Sequence, residues 1–135
     1  MALQASTTVR NAILDAIETA IGTSPVLKIR SGSVPATCAT ADSGTVGASI
    51  TCPSDWAAAA SGGSKAKSGT WQDASADATI TAAHWRLYES TATTCHLQGT
   101  VTATGGGGDM TLDSTSITAG QVVTISTFTI AAANS

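Results

Sequence analysis

The chain has 135 residues, of which only 11% are charged, with a formal net charge of −3 and two histidines. Ala, Thr, Ser and Gly fill 77 positions, so few titratable groups are left to converge on an enzyme site. The six basic residues, Arg10, Lys28, Arg30, Lys65, Lys67 and Arg86, are scattered and form no patch that would neutralise phosphates, which argues against nucleic acid as a direct partner.

Residues 1–22 read as an amphipathic helix, with Val9, Ile13, Ala16, Ile17, Ala20 and Ile21 at helical spacing. Ser6, Thr7 or Thr8 can cap its start and Gly22 suits its end, while Asp15 and Glu18 lie off the apolar stripe. Leu3 precedes the cap and is placed to pack back on it. After Pro25 the period changes. Segment 26–31 alternates Leu27 and Ile29 against Val26, Lys28 and Arg30, the pattern of a half-buried strand. Segment 32–44 is a Gly/Ser/Pro/Thr loop, and 45–52 puts Val46, Ala48, Ile50 and Cys52 on one face. Trp56 and the alanines 57–60 favour a short helical turn, and SGGS at 61–64 breaks it. Segment 65–72 is a weaker strand. Segment 79–88 is a strong one, with Trp85 and Leu87 on one face and His84, Arg86 and Tyr88 on the other. Segment 93–104 carries Cys95, Leu97 and Val101 inward, Gly105–Asp109 turns, Met110–Leu112 starts another strand, and 122–131 closes the chain.

Short strands with turn signals every 8–12 residues are the signature of an antiparallel sandwich or small barrel. The expected fold is therefore mainly β: an antiparallel β-sandwich, jelly-roll- or Ig-like, at 23–135, with one N-terminal helix at 1–22 that either packs on its own sheet or reaches a neighbour. No signal-peptide pattern follows Met1, and no apolar run is long enough to span a bilayer, so the expectation is a cytosol-made, soluble protein without membrane partners. Cys38, Cys52 and Cys95 are expected as buried free thiols, with a Cys38–Cys52 bridge as the alternative.

Several constellations invite chemistry. A three-residue hairpin loop at 89–91 would set His84 opposite His96, a pair that can bind metal or sense pH, but a catalytic zinc needs a third ligand and none is evident. GGGG at 105–108 is followed by Asp109 and a strand, not by the Lys and helix of a phosphate loop. Asp109, Asp113 and the carboxylates at 73–77 do not match calcium-loop spacing, no Ser sits in a nucleophile elbow, and Glu18 and Glu89 show no sign of pairing. The expectation is a non-enzyme without cofactor or metal. Candidate interface residues are Leu3, Val9, Ile13, Ile17 and Ile21 of the helix, and Trp56 and Trp71 near loops, since Trp is a common interface anchor.

Taken together, TVRNAILDAIETAIGTSPVLKIRSG, SITCPSDW, KAKSGTW, the HWRLYES and TTCHLQGTVTATGGGGDMTL segments and ITAGQVVTISTFTI resemble small virion-associated proteins of tailed bacteriophages and prophages over nearly the whole chain. The resemblance implies a structural protein made in the bacterial cytoplasm and located in the virion. Its implied role is head decoration or cement, bound in many copies to the major capsid protein or other virion proteins and itself a homo-oligomer. A neck or tail accessory, or a host-binding module, is the alternative. It transfers no catalytic residues.

Overall fold

A computed structural model describes residues 3–133. Helix α1 spans Thr7–Ile21; the Ser6 hydroxyl accepts from the Val9 amide at 3.3 Å, and Gly22 ends it with φ +86°, donating its N–H to the Glu18 carbonyl. Only Gly adopts that backbone without a Cβ penalty. The strands are β1 (Val26–Arg30), β2 (Val46–Thr51), β3 (Ser64–Ala66), β4 (Trp71–Asp73), β5 (Ile80–Thr81), β6 (His84–Tyr88), β7 (Cys95–Ala103), β8 (Met110–Leu112), β9 (Ser116–Ile117), β10 (Val123–Ile125) and β11 (Thr129–Ala131). The chain is thus mainly β with one N-terminal helix.

Five strands form a curled sheet in the order β2-β1-β6-β7-β8. The pairs β1–β2, β1–β6 and β6–β7 are antiparallel, whereas β7 and β8 run parallel, Val101 facing Met110. The glycine-rich segment after β7 makes this return possible: Gly105 and Gly107 take φ +87° and +79°. The other strands pair as three antiparallel two-stranded ladders, β4–β10, β3–β11 and β5–β9.

Between the sheet and the ladders lies one apolar core. Leu27, Ile29, Ala48, Ile50, Trp85 and Leu87 face Trp71, Ile117, Val123, Ile125 and Phe128 across it. A chain of aromatic contacts runs through it: Trp56 to Trp71 at 6.1 Å, Trp71 to Phe128 at 5.6 Å, and Phe128 edge-on to Trp85 at 5.2 Å between ring centroids. Such tilted and edge-on pairs add to simple burial. The opposite face of the sheet is covered by the 31–45 loop, so every residue of β6 is buried.

Four local expectations change. Residues 57–60 are extended rather than helical, because Ala57 bridges Lys67 and the Ala58 amide donates to Ala66. Segment 65–72 splits into β3 and β4. The β6–β7 hairpin does not pair His84 with His96: His84 lies opposite Thr100 and Arg86 opposite Gln98. Its loop is longer than the three residues expected, since the Glu89 carboxylate gathers the Thr93 and Thr94 amides at 3.0 and 2.9 Å and the Thr91 hydroxyl at 2.5 Å. Leu87 faces Leu97 but Tyr88 faces Cys95, which leaves His96 as a bulge residue and turns Cys95 away from the core onto the loop-covered face.

Candidate functional site

Helix α1 is fastened to the body by polar groups. Lys65 on β3 is 2% exposed, and its ammonium meets Asp15 Oδ1 at 2.8 Å, Glu18 Oε2 at 2.7 Å and the Ala58 carbonyl at 2.8 Å. Burial alone would lower the Lys65 pKa, but hydrogen bonds and charge from the two carboxylates outweigh it and hold the ammonium protonated above its ordinary range. Asp15 also accepts from the Ala60 amide at 3.0 Å, and its carboxyl is held below the usual range, chiefly by the Lys65 hydrogen bond. Arg10 donates to the Ala132 carbonyl at 2.9 Å, Asn11 accepts from the Gly63 amide at 2.9 Å, and Trp56 Nε1 donates to the Gly22 carbonyl at 3.0 Å. Leu14 and Ile21 are the buried apolar contacts.

All three ionisable groups of α1 (Arg10, Asp15 and Glu18) are therefore tied to the body. The face turned to solvent carries Thr8, Val9, Ala12, Ile13, Ala16, Thr19 and Ala20, with the half-exposed Asp15 carboxylate at its edge. Val9 is 49% and Ile13 52% exposed, and Leu3, just before the helix, is 92% exposed. The helix still turns Leu14 and Ile21 inward, as a surface helix does, and leaves Val9 and Ile13 as additional half-exposed apolar side chains. Lys65 draws Asp15 and Glu18, three residues apart, to one edge of the helix, where Asp15 keeps half of its side chain in solvent.

The remaining interface candidates separate. Ile17 is partly buried against the core and Ile21 is buried within it. Trp56 and Trp71, at 1% and 0% exposure, are core residues and offer no surface to a partner, which corrects the loop-anchor expectation. Their place near loops in sequence hid the fact that those loops fold over the core.

His84 and His96 are also apart in role. His84 is buried, with Nδ1 at 2.8 Å from the Gly32 carbonyl, so that nitrogen carries the proton. Burial lowers the His84 pKa, the Gly32 bond opposes this, and the Arg30 and Arg86 charges push the same way as burial. The His96 ring sits on the other side of the hairpin end, 3.7 Å from Glu89 Oε2. The aspartates act as loop fasteners: Asp73 accepts from the Ser49 and Ser75 amides, Asp77 from the Ser49 hydroxyl, and Asp109 from the Thr100 amide and hydroxyl. Among the described residues no group of three His, Cys, Asp or Glu side chains is arranged to hold a metal ion.

A polar node under the 31–45 loop escaped the sequence reading. Asp42 receives Arg30 Nη2 at 2.7 Å, the Tyr88 hydroxyl at 2.6 Å and Arg86 Nη1. Arg86 also donates to the Cys38 carbonyl at 2.8 Å and, through Nε, to Cys95 Sγ at 3.2 Å. Gln98 donates to the Pro35 carbonyl at 2.6 Å. Burial works against the Asp42 carboxylate, yet the Tyr88 bond and the two guanidinium charges prevail and lower its pKa. The available signal was Asp42 itself, the sole acidic residue between Glu18 and Asp55, set beside two arginines that alternation puts on one sheet face. The node sets two guanidiniums against one carboxylate and ties the 31–45 loop to the sheet.

No family model, curated protein or solved structure matches this chain.

Proposed function

We propose that this chain is a non-enzymatic structural protein of a tailed-phage virion, a capsid decoration or cement protein that stabilises the head lattice through many symmetric contacts. The observation that carries the reading is α1: a helix tied to its own body through Lys65, with Val9 and Ile13 left half exposed on the side turned to solvent. Half-exposed apolar side chains of this kind suit the core of a protein contact, with Asp15 at its polar rim. The likeness of the sequence segments to phage virion proteins supports the setting. In this role the body works as a β-sandwich block, the five-stranded sheet and the facing ladders enclosing the aromatic chain. The helix packs in cis and presents the contact, rather than reaching out as a loose arm. Partners are the major capsid protein and further copies of this chain.

The test is cryo-electron microscopy of the intact particle with this chain docked. Copies in the hundreds at lattice symmetry axes, seated through α1, support the reading. Six or twelve copies at a vertex or along the tail replace it with a neck or tail role, and absence from particles overturns it.

A further inference from the structure

The bulge at His96 has a chemical consequence, because it turns Cys95 onto the loop-covered face of the sheet, where Cys38 also lies. Both residues line one cavity of about 310 Å³ together with Asp42, Arg86 and Tyr88. Arg86 touches both: its Nε donates to Cys95 Sγ at 3.2 Å and its Nη2 to the Cys38 carbonyl at 2.8 Å. Both cysteines are partly exposed, unlike Cys52, which is buried in the core. This arrangement corrects the bridge considered from sequence: the neighbour of Cys38 is Cys95, not Cys52.

We propose that Cys38 and Cys95 are a disulfide-forming pair that locks the 31–45 loop to β7 when the protein meets oxidising surroundings. The inference stands on the geometry of this face and is independent of the station proposed on the particle. The co-reactant is a low-molecular-weight disulfide. The Cys38 thiolate attacks one sulfur of the reagent and expels a thiolate, leaving a mixed disulfide on Cys38. The Cys95 thiol loses its proton to solvent and its sulfur attacks Cys38 Sγ, expelling the second thiolate. Two protein thiols are oxidised and one reagent disulfide is reduced to two thiols. The Cys95 thiol is held up to about 11, by burial first and by the neighbouring Cys38, with Arg86 opposing. Little Cys95 thiolate therefore exists at neutral pH, which slows the closing attack on the mixed disulfide.

Closure links positions 57 residues apart in sequence and fixes a loop otherwise held by the Asp42 node. Cross-linking a segment of this length restricts the unfolded chain, and a rise in Tm on the order of 10 °C is expected. The experiment equilibrates the full chain in oxidised and reduced glutathione mixtures, alkylates free thiols and cleaves before aspartates. This puts Cys38 in 15–41, Cys52 in 42–54 and Cys95 in 77–108. The expected product is a 15–41/77–108 cross-link lighter by two hydrogens, with Cys52 still alkylatable after unfolding, and a raised Tm that C38S and C95S each lack. A link involving 42–54, three alkylatable thiols at an oxidising ratio, or an unchanged or lower Tm on oxidation overturns the proposal. The cross-link in the wild-type chain is read without any variant, so a poorly folding C95S does not blunt the test.

Discussion

At the scale of single residues, the chain spends its few charges on holding loops and the helix in place. Asp42 is the clearest case, since it alone faces both Arg30 and Arg86, whose side chains are 7% and 1% exposed. Asp42→Asn leaves two buried guanidiniums with neutral acceptors alone and no counter-charge. Breaking a buried pair from one side typically costs about 3–5 kcal/mol. The Asp42 side chain is 38% exposed, so solvent relieves part of that and about 2–3 kcal/mol is expected, read as a lower urea midpoint at unchanged slope. The folded carboxyl ionises below its ordinary value of 3.8. Its contribution is therefore complete above about pH 4 and drains away as pH falls through the folded pKa. His84 works in the opposite chemical sense. Its folded pKa lies below the ordinary 6.5 because burial and two arginines resist a third positive charge. As pH falls below 6.5 the unfolded chain takes up a proton that the folded one refuses. Stability should drop by up to about 1.4 kcal/mol per pH unit. His84→Gln should flatten that slope; an unchanged slope in His84→Gln would sink the assignment.

At the scale of elements, β3 is a hinge between the two ends of the chain. It pairs with β11 through Lys65 and Ile130, and the same Lys65 anchors α1. The Ala132 carbonyl also takes the Arg10 bond, while the Ala132 amide donates to Gly63. Removing residues 129–135 should therefore unpin the helix at the opposite terminus. Hydrogen exchange of the α1 amides from Leu14 to Ile21 should accelerate on the order of a hundredfold or more, the equivalent of about 3 kcal/mol of lost docking. Unchanged protection would mean that α1 docks independently of β11. This coupling is invisible in sequence, where the two segments share no signal. What was legible is local: the helix and its caps, the alternation in β1, β2 and β6, and the core placement of Trp85 and Leu87. What was not legible depends on distant partners. Glu89 reorganises its loop through side-chain bonds, which shifts the β6–β7 register and moves Cys95 to the other face. Lys65 reads as a surface residue until its two carboxylates arrive from the helix. Trp56 and Trp71 read as loop residues until their loops fold over the core.

At the scale of the whole molecule, burial and contact are divided between two sides of one helix, and that division makes the proposed role separable from folding. Val9 and Ile13 are about half exposed, whereas Leu14, the residue after Ile13, is 1% exposed. Val9→Asp and Ile13→Asp should leave the stability of the isolated chain within about 0.5 kcal/mol of the wild type, as surface changes usually do. Leu14→Asp should unfold it, because an unpaired carboxylate replaces a buried apolar side chain. On a particle the outcome differs. In the proposed role, a contact of this size is weak singly, but oligomeric copies on a repeating lattice would engage it several times at once, each added contact multiplying the occupancy. A carboxylate placed on that face is desolvated at every copy, so a modest loss per contact compounds. Incorporation of the double variant Val9→Asp/Ile13→Asp into particles should fall at least tenfold while its monomer melts normally. Full incorporation with a normal melt would remove α1 as the contact face and shift attention to the exposed edge around Val122.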